Sequence, residues 1–141
     1  MTTATRDKLT ITLTGRPPVT LDKGCWPLLA EATTHLYNGQ YDFQSFTHTR
    51  AAIRVRQHTD GRAVVYGTYS YDTAYQGARD ASARRGRLLP AGVDIPEAIL
   101  KVAEEMDAAR ENCGVGDHFS EARPFERLAA ECIADLPAEA I

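Results

Sequence analysis

From Phe46 to Tyr71 the chain combines strand-like alternation with a turn signal, and this stretch restricts the fold more than any other. It reads Phe-Thr-His-Thr-Arg-Ala-Ala-Ile-Arg-Val-Arg-Gln-His-Thr, then Asp60-Gly61, then Arg-Ala-Val-Val-Tyr-Gly-Thr-Tyr-Ser-Tyr. Gly61 can take the positive φ that a tight turn requires, so two antiparallel strands joined at Asp60-Gly61 are expected. Two registers are open. A two-residue turn opposes Val55 to Tyr66 and sets Arg54 and Arg56 beside Val65, Gly67 and Tyr69. A three-residue loop with Gly61 as a bulge opposes Val55 to Val65 and sets the arginines beside Val64, Tyr66 and Thr68. In both, Ile53 and Val55 point inward and the arginines outward.

A hairpin needs a surface to pack on, and the rest of the chain supplies helices. Asp94-Ile-Pro-Glu97 resembles a capping box, followed by an apolar stripe of Ile95, Ile99, Val102, Ala103 and Met106 that ends near 112–114. A second helix begins around Pro124, carries Phe125, Leu128, Ala129, Cys132 and Leu136 on one side, and stops at Pro137. Before the hairpin, Leu9, Ile11 and Leu13 alternate with threonines as a half-buried strand, and Val19–Leu21 reads as a short return strand at a sheet edge beside Pro17 and Pro18. From Asp22 onward, Trp26, Leu29, Ala30 and Thr33 fall at helical spacing, with Pro27 delaying or bending the helix. Residues 34–45 read as a loop with aromatic anchors. Residues 72–93 lack a clean period and read as a long ordered loop with a helical turn or two between Ala78 and Arg85.

At 141 residues and 43% hydrophobic content the chain has material for one core, so residues 1–141 are expected to form a single domain. The expected fold is α+β: a small antiparallel sheet built on the central hairpin and covered on one face by two to three helices. Burying Phe125, Leu128, Ile99 and Met106 there contributes about 1.5–3 kcal/mol per side chain before ordering entropy is subtracted.

The net charge of −3 hides a strong asymmetry. Residues 1–89 hold 12 Lys and Arg against 7 Asp and Glu, a net +5, whereas residues 90–141 hold 4 against 12, a net −8. A basic β-rich part thus accompanies an acidic helical part, and local basic contacts remain available despite the acidic total. Cys25, Cys113 and Cys132 form no CxxC pair, which argues against a disulfide framework or structural zinc and for a reduced, cytoplasmic setting. No stretch has the length of apolar residues needed to span a membrane, and no membrane partner is expected.

Catalytic signals are weak. No Walker loop, GxGxxG, HExxH or GxSxG occurs, and no catalytic residue, metal site or cofactor is assigned. Cys113 and His118 are the one metal-like pair. Cys25 lies near the expected helix start, where a dipole lowers thiol pKa, but has no assignable histidine. Glu104, Glu105 and Asp107 fit a solvated helix face better than an acid/base pair. A non-enzyme is favoured.

Binding is better supported. Arg54, Arg56, Tyr69, Tyr71, Tyr75, Arg79, Arg84, Arg85 and Arg87 form the candidate surface, since Arg and Tyr are enriched at interface hot spots. With Arg50 they are also the residue types that hold phosphates and stack on bases. The competing readings are a core role for the tyrosines and pairing of the arginines with the chain's own acidic helices. The expected partner is a host protein or protein–nucleic-acid complex. A nucleic-acid-binding regulator is the alternative, and an uncapped sheet edge near Pro17 leaves room for a homodimer.

The segments Leu13-Thr-Gly-Arg-Pro-Pro18, Asp60-Gly-Arg-Ala-Val-Val-Tyr-Gly67 and Tyr71-Asp-Thr-Ala-Tyr-Gln-Gly77 resemble those of small uncharacterised proteins carried by proteobacteria, their phages and plasmids. The resemblance transfers no functional residue. It implies a setting in which accessory proteins of mobile elements bind and inhibit a host defence protein, as anti-CRISPR proteins do.

Overall fold

A computed structural model describes residues 7–38, 47–73, 80–113 and 121–138. It is an α+β arrangement of six strands in two antiparallel sheets with two helices. β1 (Lys8–Leu13) and β2 (Arg16–Asp22) form a hairpin, and β3 (Leu28–Asn38), β4 (Thr47–Gln57), β5 (Ala63–Thr73) and β6 (Ala81–Leu89) form a four-stranded meander in chain order. Helices α1 (Ile95–Asn112) and α2 (Pro124–Asp135) lie together on one face of the meander, α1 over β5 and β6, α2 over β3 and β4.

The central hairpin takes the three-residue register. Val55 opposes Val65, Arg54 opposes Tyr66 and Arg56 opposes Val64. His58 N donates to Arg62 O at 2.8 Å and Gly61 has φ +96°, so Thr59, Asp60 and Gly61 are the loop and Gly61 supplies its left-handed position. Ile53, Val55 and Val65 lie on the helix side and are fully buried with Ile99, Val102, Met106, Phe125 and Leu128. On the other side β1 and β2 cover only one end of the sheet, where Ile11, Leu13, Leu21 and Trp26 enclose Val64 and Tyr66. The sheet at Gly86 is the point of closest approach: a Cβ there would lie 2.7 Å from the Thr12 carbonyl oxygen, while Thr14 N donates to Gly86 O at 2.8 Å.

Three stretches fold differently from the sequence expectation. The loop expected over 34–45 is strand as far as Asn38, because β3 continues its pairing along β4. The helix expected from Asp22 does not form. Asp22 instead closes a turn, its carboxylate accepting from Gly24 N and its carbonyl from Cys25 N and Trp26 N, and β3 follows. Over 30–35 the pattern has period two, with Ala30 and Ala32 buried and Glu31, Thr33 and His35 exposed. The alanines left helix and strand equally open in sequence, and pairing along β4 decides between them. The loop expected over 72–93 contains β6. Ala81, Ala83, Arg85 and Arg87 share one side and Ser82, Arg84, Gly86 and Leu88 the other, so the strand is amphipathic with alanines as most of its apolar side. The helical turn or two expected between Ala78 and Arg85 is not there over 81–85, which are strand β6. Residues 74–79 and 39–46, with Tyr41 and Phe43, lie outside the described residues.

The helices match their expected bounds closely. Asp94 Oδ1 accepts from Glu97 N at 3.1 Å, completing half of the capping box. α2 begins at Pro124 with Arg123 at its N-cap and no side-chain cap of its own. Asp107 of α1 fills the role: its two carboxylate oxygens accept from Phe125 N at 3.0 Å and Glu126 N at 3.2 Å. The two helices are therefore joined through a buried charge as well as by apolar packing.

Candidate functional site

The meander leaves one face free of helices, and the strand register places its side chains in rows. One row runs Thr33, Ala52, Thr68 and Arg84, and the next His35, Arg50, Ser70 and Ser82. The small side chains of these rows, Thr33, Ala52, Thr68, Ser70 and Ser82, leave a trough of about 410 Å³, with Arg50, Arg54 and Arg84 around a floor of hydroxyls and alanine. A second hollow of about 310 Å³ continues it toward the β1–β2 hairpin and shares Arg54, Thr68 and Arg84. Lys23 adds a further cation at that end. The acidic helices lie on the opposite face of the same sheet, so the charge segregation along the chain becomes a segregation across the fold.

The arginines divide by partner. Arg54 donates to Glu31 at 2.9 Å across β3 and β4. Arg56 is a structural residue, donating to the Tyr66 hydroxyl at 3.0 Å and the Trp26 carbonyl at 3.1 Å beneath the β1–β2 hairpin. Arg84 and Arg50 are exposed, with no side-chain partner among the described residues. Arg85 and Arg87 belong to the helix side of β6. Arg87 pairs with Glu105 of α1 at 2.5 Å, and Arg85 donates to the Arg84 carbonyl at 2.7 Å. Two arginines of the candidate surface thus separate: Arg84 reaches the trough, while Arg87 pairs with Glu105, which was expected on a solvated helix face and also accepts from Thr14 at 3.0 Å, and together they fasten α1 to the sheet margin.

Tyr69 is among the residues that line the trough, but the tyrosine rings are not offered there. Tyr69 and Tyr71 project to the helix side and are 2% and 5% exposed. Tyr75 and Arg79 lie outside the described residues. Period two separates 69 and 71 from 68 and 70 on the same strand, so the hydroxyls of Thr68 and Ser70, not the aromatic rings, accompany the arginines. Arg50 and Ser70 were legible in principle, since Arg50 continues the two-residue spacing of Arg54 and Arg56 and Ser70 lies on the strand expected beside them. Ser82 was hidden because β6 did not register as a strand.

Groups with displaced titration lie in the helix layer. Burial raises the Asp107 carboxyl above the usual carboxylate range, outweighing its two amide hydrogen bonds and the nearby Arg110 and Arg123. Burial also pushes the Cys132 thiol up to about 11, and Asp135 and Glu31 add to the rise. Cys25 is exposed in the turn between β2 and β3, away from any helix start. No group of three or more His, Cys, Asp and Glu side chains among the described residues is arranged to hold a metal ion, and His118 lies outside them. No helix among the described residues is long and apolar enough to cross a membrane. Comparison with family models, with curated proteins and with solved structures returns no match.

Proposed function

We propose that this chain is a protein-binding accessory module whose open sheet face docks an acidic segment of a partner protein. The observation that carries the reading is the pair Arg50 and Arg84: two exposed guanidinium groups with no side-chain partner among the described residues, on different strands, at two places around one hydroxyl-lined trough. Arginine presents five donors in a planar fork suited to carboxylates, and Ser70, Ser82 and Thr68 offer hydroxyls that donate to the same groups. The acidic helices pack on the far side of the sheet, away from this face. In its sharper form the module is carried by a mobile element, works in the cytoplasm and inhibits a host nucleic-acid-directed defence system by steric block. The resemblance of its sequence segments to phage and plasmid proteins supports that setting.

The alternative is a nucleic-acid-binding regulator that grips phosphates with the same arginines. Its favouring observation is that the acidic helices α1 and α2 lie behind the sheet, where they do not face a phosphate backbone. Against it, base stacking loses Tyr69 and Tyr71, whose rings are buried under the helices. Affinity capture from a bacterial lysate, with and without nuclease and read by mass spectrometry, separates the two. A specific protein retained after nuclease and lost with Arg50→Glu/Arg84→Glu supports the docking module. Binding abolished by nuclease supports the regulator, and capture that ignores the double variant refutes both uses of this face.

A further inference from the structure

At the end of the trough, His35 on β3 and His48 on β4 are diagonal neighbours across the strand pair. Their ring centroids are 5.2 Å apart with planes at 33°, and His35 Nε2 lies 3.2 Å from His48 Nδ1. The geometry points to a two-histidine chelate for a late first-row divalent cation such as Zn²⁺. Metal–imidazole bonds of about 2.0–2.1 Å give a nitrogen–nitrogen separation of about 3.3 Å at a tetrahedral angle and about 2.9 Å at a right angle. The observed 3.2 Å falls between those values, so the backbone already holds the two rings at the bite of the ion. A hydrogen bond between neutral rings uses one N–H and one lone pair. Chelation uses two lone pairs, so the donor ring moves its proton to its other nitrogen and both rings turn slightly toward a common point. When both rings begin neutral, no net proton is released.

The strand register fixes what surrounds the pair. Arg50 stands opposite His35 and opposes a dication, while Asp72 stands opposite His48 and favours one. His35 is exposed and His48 half-buried, so water can reach the remaining coordination positions. With two protein ligands the site is an open chelate rather than a structural zinc centre, and the fold does not depend on it.

The inference is tested on the whole chain by histidine side-chain ¹⁵N NMR during titration with zinc sulfate, with His35→Gln and His48→Gln in parallel. The expected result is saturable displacement of the Nε2 resonance of His35 and the Nδ1 resonance of His48, with a dissociation constant below about 1 mM. Each variant should weaken zinc binding by about tenfold or more, and Arg50→Gln should strengthen it. Neither ring responding in the wild-type chain, or zinc binding with unchanged affinity in both histidine variants, overturns the inference. The wild-type spectra decide the first point whether or not a variant folds.

Discussion

Replacing Asp107 by alanine and by asparagine separates the two things its carboxylate does. In the native chain it accepts from Phe125 N at 3.0 Å and Glu126 N at 3.2 Å, and it is 5% exposed. Alanine strands the Phe125 amide in a buried position, at a cost of about 1–3 kcal/mol, and the half-buried Glu126 amide adds about 0.5–1.5 kcal/mol. Removing a desolvated charge returns part of that, so a net loss of about 2–3 kcal/mol is expected, in the upper range of helix-cap deletions. For a chain of this size that is a fall of roughly 6–12 °C in melting temperature. Asparagine keeps one carbonyl acceptor and has no charge to desolvate, so it should cost about 1 kcal/mol or less.

The pH dependence of the same pair of proteins gives an independent reading. Burial raises the folded-state carboxyl above its ordinary value, so between the unfolded and folded pKa the native chain binds more protons than the unfolded one. The stability of wild type relative to Asp107→Asn is therefore greatest below the unfolded value near 3.8, falls as pH rises through the folded value, and is flat above it. Thermal and urea unfolding followed by circular dichroism at a series of pH values measures both effects. Equal losses for alanine and asparagine would refute the capping role, and a relative stability that rises with pH would refute the dominance of burial over the two amide hydrogen bonds.

Other substitutions probe the sheet and its cover. Gly86→Ala drives a methyl toward the Thr12 carbonyl, a rigid neighbour, and should destabilise by about 1–3 kcal/mol while raising proteolytic sensitivity in β1 and β2. Thr49 is fully buried and its hydroxyl has no hydrogen-bond partner among the described residues, so Thr49→Val should raise the urea midpoint, by about 1 kcal/mol in stability. Thiol labelling should modify exposed Cys25 at once and Cys132, buried and with its thiol raised to about 11, only at the rate of unfolding. Mass spectrometry of timed quenches distinguishes the two sites.

What the sequence carried and what it concealed follow from side-chain size. β4 and β5 were legible because Ile53, Val55 and Val65 mark the inner face, and α1 because Ile99, Val102 and Met106 mark its stripe. β3 and β6 use alanine for those positions, a residue that contrasts too little with its polar neighbours to set a period. Asp107 follows Ala103 by four residues and so lies on the buried stripe itself, a signal that its acidic neighbours Glu104 and Glu105 obscured. For the candidate face, the alternation identified Arg54 and Arg56 as outward. It did not show that Glu31 occupies one and that Tyr66 and Trp26 hold the other, because those partners come from a second strand and a turn. Which guanidinium groups remain available depends on long-range packing. Arg50 and Arg84, both already candidates in the sequence, are singled out as available once β3 and β6 flank the hairpin.

The most direct test of the docking account is the affinity of the nuclease-resistant captured partner for three purified chains: wild type, Arg50→Glu/Arg84→Glu, and Lys101→Glu on the exposed side of α1. Biolayer interferometry at two salt concentrations reads it. The account predicts a loss of at least about tenfold for the double variant, or about 1.4 kcal/mol, weaker wild-type binding at higher salt, and no loss for Lys101→Glu. Full affinity in the double variant would contradict it and place the partner elsewhere on the molecule.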